Sequence, residues 1–203
     1  MKNELEALRS RQKTIQINNP SYLQYMIDTS YLPRWINDMW TYCQVANMPD
    51  EVAYISLQIF VKFANTQPPT FVQDRWISHT CIWIACKLFF DHQFKVRHFV
   101  EKVKGRVSRH RRKKYVRKMV SHEFNIVRAL GYEFHKPMPI DFVNAIVPLL
   151  GLTPGSKVVL DIRCQLRKIT NMDHITLSPV DVAVQSILLV NPRFEEKVHN
   201  LLS

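Results

Sequence analysis

Apolar residues return at intervals of three and four along most of this chain, and prolines separate the segments in which they do so. The first such segment is RWINDMWTYCQVAN after Pro33, where Trp35, Ile36, Met39, Trp40 and Cys43 share helical spacing. Pro49 followed by Asp50 and Glu51 marks a helix start, because proline suits the first turn and acids suit the positive end of the helix dipole. The helix it opens, DEVAYISLQIFVKFANT, is apolar nearly all round, which predicts a buried central helix. QPPT makes a loop, and FVQDRWISHTCIWIACKLFF gives a helix over roughly residues 71–90. A short helix near VRHFVEKV is followed by a basic loop. KYVRKMVSHEFNIVRALGYEF reads as a long amphipathic helix with Val116, Val120, Val127 and Leu130 as its apolar stripe and Gly131 as its C-terminal cap.

PMPIDFVNAIVPLLG opens a second set, in which Pro148 kinks or stops the helix. SKVVLDIRCQLRKITNM, LSPVDVAVQSILLV and PRFEEKVHNLL continue it as three further helices. The residues to about Asn19 read as a polar segment, and Pro20 begins a short piece, SYLQYMIDTSYL. No segment alternates polar and apolar positions for long enough to suggest a strand. The expectation is therefore an all-α protein: an N-terminal segment over 1–30, a five-helix domain over 31–136, and a shorter helical domain over 137–203.

Composition narrows the chemistry. At 46% hydrophobic and 22% charged the chain is of ordinary globular type, and its 4 glycines include no phosphate-cradling loop. The longest apolar run, at 81–90, is too short to span a bilayer, so no membrane contact is expected. The N-terminus MKNELEALRSRQK has no apolar signal region. Cys43, Cys81, Cys86 and Cys164 lack metal-finger spacing, and His79, His92, His98, His110 and His122 are scattered singly, so neither a metal nor another cofactor is expected. No hydrolase, P-loop or dinucleotide motif occurs, and the chain is not expected to be an enzyme. Thr153-Pro154 and Ser178-Pro179 are minimal proline-directed phosphorylation sites, but Ser178 before Pro179 is better explained as a helix N-cap.

The net charge of +11 sits in one place. Residues 95–118 hold 12 Lys/Arg and one acid, Glu101, while the rest of the chain has 16 bases and 16 acids. The patch centres on Arg106, Arg109, Arg111, Arg112, Lys113, Lys114, Arg117 and Lys118. It suits DNA, an acidic protein surface or an import receptor, against the plainer alternative of a solvated loop. Tyr115 is the one Phe, Tyr or Trp in residues 105–118, which disfavours a base-stacking platform and leaves salt-sensitive phosphate contact. The expected location is the nucleus, chromosome-associated or otherwise, with the cytoplasm as the alternative.

Two charges interrupt apolar helical text. Lys87 stands inside CIWIACKLFFDHQ, among Cys81, Ile82, Ile84, Ala85 and Leu88, and Glu123 falls on the stripe of Val116 and Val127. A lone lysine of this kind can snorkel and a lone glutamate can be solvated. Two desolvated opposite charges, by contrast, require pairing.

The succession of an apolar helix ending in Ala85–Cys86–Lys87, then a long helix carrying Glu123, Phe124, Ile126, Val127 and Leu130, then Phe134 and Pro137–Pro139, resembles a cyclin box. Arg34 and Trp40 match the family's first helix, and ITLSPVDVAVQSILLV resembles the third helix of its second box. The resemblance covers about residues 31–201 and implies a cyclin-like fold with a five-helix first cyclin box and a truncated second box, about one helix short. It implies a regulatory subunit that binds a cyclin-dependent kinase catalytic subunit through Lys87 and Glu123, with Arg34, Phe89 and Phe90 as further kinase-binding candidates. Phe89 and Phe90 replace two customary acids and are expected either in the core or against the partner, the core being favoured. Val61–Lys62 replaces the family's acid–base pair in helix two, and positions 33, 37 and 40, which form an apolar substrate groove in cell-cycle cyclins, are here Pro33, Asn37 and Trp40. The LGYEF…PMPIDFVNAIVPLLG passage is most similar to meiotic crossover cyclin-like proteins. The alternatives are a nucleic-acid-binding protein of the transcription-factor cyclin-fold type using 105–118, and a cyclin-fold scaffold without kinase activation. A further protein partner covering the short second box is also expected.

Overall fold

The computed structural model describes residues 2–11, 31–64, 66–67, 74–90, 95–105, 107–132, 134, 137–172 and 178–202. Among these there are ten α-helices, one 3-10 turn and no strand, in agreement with the all-α expectation. Contacts divide the chain into two compact units, residues 16–134 and residues 1–15 with 135–203. The SYLQYMIDTSYL piece (up to residue 30), residues 68–70 of the QPPT loop and His92 lie outside the described residues.

The first unit holds α2 (Tyr31–Val45), α3 (Asp50–Ala64), α4 (Arg75–Phe89), α5 (Val96–Lys104) and α6 (Arg109–Ala129). Helix α3 buries eleven of its fifteen residues, Phe60 and Phe63 completely. It packs most extensively on α4, with α2 and α6 against other sides. Trp35 of α2 meets Phe60 edge-on at 5.2 Å, and Trp40 meets Tyr54 at 5.0 Å. Each large side chain so buried contributes roughly 1.5–3 kcal/mol. The buried Ser56 hydroxyl donates to the Ala53 carbonyl at 2.8 Å, so the apolar interior carries it at little cost.

Helix α4 starts at Asp74, whose carboxylate accepts the Trp76 N–H at 3.1 Å. Ser78 and Thr80 donate back to the Arg75 and Trp76 carbonyls, which satisfies both inside the core. Cys43, Cys81 and Cys86 are buried, as their apolar contexts predict, and burial pushes the Cys43 and Cys86 thiols up to about 12.

Helix α6 corrects two expectations. Its basic N-terminal run is helical from Arg109 onward, not a loop. Ser108 caps it by accepting the Arg111 N–H at 3.4 Å, and lysine and arginine are good helix formers. Its buried residues are Met119, His122 and Ile126, while Val120 is 50% exposed. The periodicity admits two neighbouring stripes, and tertiary partners choose between them: Tyr115 stacks on Trp76 at 4.7 Å and His122 reaches Asp74. At the other end Gly131, at φ +58°, closes the helix as expected. Its N–H reaches the Arg128 carbonyl and the Tyr132 N–H reaches that of Val127.

The second unit comprises α1 (Lys2–Arg11), α7 (Pro139–Leu149), α8 (Lys157–Met172), α9 (Pro179–Val190), a 3-10 turn (Pro192–Phe194) and α10 (Glu195–Leu202). The segment read as merely polar contains α1, which packs on α7, buries Leu5 and donates from the Arg9 guanidinium to the Leu202 carbonyl. Pro139 begins α7, and Asp141 accepts the Met138 N–H at 2.8 Å. Pro148 sits one residue before the helix end, where Gly151 at φ +76° turns the chain. Ser178 caps α9 by accepting the Asp181 N–H at 3.3 Å, in line with its structural reading.

Leu5→Ala is expected to lower stability to chemical denaturation by about 2–4 kcal/mol, because Leu5 is 1% exposed. Glu4→Ala, at an exposed position of the same helix, is expected to change it by less than about 0.5 kcal/mol.

Candidate functional site

Lys87 occupies the last turn of α4, and Glu123 the second half of α6. The two side chains form an ion pair between the Lys87 ammonium and Glu123 Oε1, with 30% and 19% of their surfaces exposed. Trp83, one turn before Lys87, completes the cluster. Its indole N–H donates to Glu123 Oε2 at 3.0 Å, and its ring lies 5.7 Å from the Lys87 nitrogen. Trp83 is 5% exposed and packs on Phe99 of α5 at 5.7 Å, so the donor is fixed by the core.

Both carboxylate oxygens are thus engaged, which offsets the cost of taking Glu123 partly out of water. Each still has acceptor capacity, and the ammonium has donors beyond the one given to Glu123. The cluster therefore offers a donor and an acceptor, side by side and already oriented, at the border between core and solvent.

Apolar side chains flank it. Phe89 is 42% exposed and Leu88 36%, and the Phe89 and Phe90 rings meet edge-on at 5.0 Å. The core location favoured for Phe89 is therefore not what the structure has, and Leu88 is not among the burying residues. The end of α4 runs past the packed interior. On α6, Val120 and Phe124 are 50% and 61% exposed, next to Glu123 along the helix. Trp83, Val120 and Phe124 were not among the sequence candidates. The spacing of four between Trp83 and Lys87 is the signal that could have drawn in Trp83.

Arg34 is exposed in the first turn of α2, and no contact joins it to Lys87 or Glu123 among the described residues. Trp40 faces the core and Asn37 is exposed, so these two positions offer no apolar groove.

A second cluster ties α4 to α6. Asp74 receives Lys118 at 2.7 Å and His122 at 3.1 Å. Burial pushes the Asp74 carboxyl up, but the hydrogen bonds from Lys118 and the Trp76 N–H, with the charges of Lys118 and His122, outweigh it and hold the group below its usual range. Of the basic patch, Lys118 is thus engaged with Asp74, and Arg112 pairs with Glu101. Arg109, Arg111, Lys113, Lys114 and Arg117 are exposed on α6, and Arg106 lies outside the described residues. Among the described residues no group of three or more His, Cys, Asp or Glu is gathered as for a metal ion, and no helix is long and apolar enough to cross a membrane.

Comparison with known proteins gives two findings. Residues 4–135 match the family described as "Cyclin, N-terminal domain". The fold is similar to the X-ray structure of a viral cyclin from herpesvirus saimiri, with a TM-score of 0.74 and 15% sequence identity, over 97% of this chain and 82% of that one. No curated protein matches by sequence.

Two outcomes test the site. Because the Asp74 carboxyl is held low when folded, its stabilisation is present above the ordinary aspartate range and is lost as pH falls through the depressed value. The urea midpoint of the native chain is expected to fall below about pH 4, and that of Asp74→Asn is expected to be lower at neutral pH and to fall less steeply in acid. A double-mutant cycle of Lys87→Ala and Glu123→Ala is expected to give a coupling of about 1 kcal/mol, since the pair is partly solvated. In a Trp83→Phe background, where Oε2 loses its donor, the coupling is expected to change.

Proposed function

The chain belongs to the cyclin family, and on that premise we propose that it is a non-catalytic regulatory subunit that binds a cyclin-dependent kinase and activates or targets it. The observation that carries this reading is the Lys87–Glu123 pair, buttressed by Trp83 and bordered by exposed Phe89 and Phe124. In kinases of this type the family resemblance implies a mobile regulatory helix carrying a catalytic glutamate. Hydrogen bonds from Lys87 and to Glu123 would hold that helix inward, and Phe89, Leu88, Val120 and Phe124 would bury against its apolar side. Activation then needs no chemistry from this chain. It requires only that the surface bind the active arrangement of the kinase more tightly than the inactive one.

The departures from the family shape the partner. With Phe89 and Phe90 where two acids are customary, the contact beside the lysine is more apolar and less dependent on charge. The same departures, together with the LGYEF…PMPIDFVNAIVPLLG passage, support a place among the meiotic crossover cyclin-like proteins. A nuclear location is proposed on the basic run of residues 95–118.

The test is co-purification from nuclear extract. A kinase of the cyclin-dependent class is expected with the native chain. Lys87→Ala/Glu123→Ala is expected to weaken its binding by about 2 kcal/mol or more while circular dichroism shows the fold retained. Phe124→Ala, on an exposed side chain, is expected to weaken binding without loss of stability. Binding unchanged by the double substitution would place the interface elsewhere.

A further inference from the structure

Helices α5 and α6 enclose a cleft of about 850 Å³ within the first unit. Six cationic side chains line it: Lys95, Arg97, Arg109, Arg112, Lys113 and Arg117. Val96 and Val116 are its apolar lining. Both helices enter it by their N-terminal ends, since Val96 begins α5 and Arg109 begins α6. Lys95, the N-cap of α5, makes no side-chain cap hydrogen bond, and the positive ends of two helix dipoles add to the six cations. Glu101 is the one acid in residues 95–118, and it is paired with Arg112.

We propose that this cleft is a docking site for a phosphorylated acidic segment of a partner protein. Four of its six cations are arginines, and beside Arg112, which is paired with Glu101, the planar forks of Arg97, Arg109 and Arg117 match phosphate oxygens in pairs. The cleft is concave, and Val96 and Val116 give an extended peptide apolar surface to lie on. Nucleic acid fits it less well. A rigid duplex cannot enter a cleft between two helices. A single strand is held largely by base stacking, and no Phe, Tyr or Trp lines the cleft, His98 being its one ring. Tyr115, the one Phe, Tyr or Trp of residues 105–118, is already stacked on Trp76 at 4.7 Å. Neither Lys87 nor Glu123 lines the cleft, so the site stands or falls independently of kinase binding.

The experiment is fluorescence anisotropy of the full chain with a labelled acidic peptide carrying two phosphoserines. The comparison probes are the same peptide with glutamate at both positions and a labelled DNA duplex. The phosphopeptide is expected to bind with one-to-one stoichiometry, more tightly than the glutamate peptide and than the duplex at equal salt. Arg109→Ala/Arg117→Ala, both in the cleft, are expected to weaken it by about tenfold or more. Arg111→Ala/Lys114→Ala, the same number of charges removed from α6 outside the cleft, are expected to weaken it by less than about threefold. Circular dichroism melts of both variants check the fold. Equal losses from the two variants would mean a diffuse field and no site. Equal affinity for the phosphorylated and glutamate peptides, or tighter binding of the duplex, would equally overturn the proposal.

Discussion

A helix that is apolar on nearly every side has to be covered on every side, and α3 imposes that condition on residues 16–134. Tyr54, Phe60 and Phe63 leave no solvent face between Val52 and Ala64 except at Gln58 and Lys62. Helices α2, α4 and α6 all pack against α3. Their inner faces are fixed by this requirement. Their polar and charged residues are pushed to the seams where two outer helices meet. Asp74 with Lys118 and His122, and Lys87 with Glu123 and Trp83, are two such seams between the same pair of helices, α4 and α6.

That origin explains how far each part could be read from sequence. The helices around α3 announce themselves by periodicity, because a long apolar stripe has few other uses. The start of α4 was less legible, since Asp74 caps from within FVQDRW and does not interrupt the pattern. Helix α1 was missed because its apolar content is slight: one buried leucine, Leu5, among polar neighbours. The basic run misled for a different reason. Dense like charge suggests a solvated loop, yet lysine and arginine have good helix propensity and Ser108 supplies the cap.

The site itself was half legible. Lys87 and Glu123 drew attention because charges in apolar text need an explanation. Their direction was not legible. Val120 sits one turn from Val116 and could have belonged to the buried stripe. The choice of Met119, His122 and Ile126 instead was made by Trp76 and Asp74, residues more than 40 positions away in the chain. A single helix does not carry that information. The exposure of Phe89 has the same character, since it depends on where α4 outruns the helices beneath it.

Trp83 shows what separates a loose charge pair from a preorganised one. A leucine there would bury as well against Phe99, but it would leave Glu123 Oε2 without a protein donor. The carboxylate could then rotate about its chain, and Lys87 would follow it or turn to solvent. With the indole N–H fixed by a buried ring, one oxygen is anchored and the other is held toward Lys87. A partner that binds such an edge does not have to order either side chain, and the conformational entropy usually lost on association is reduced by about 0.5–1.5 kcal/mol for each. The tryptophan thus converts folding energy of the α4–α6 seam into preorganisation of the surface above it. A buried residue can in this way fix the geometry of a partly exposed pair.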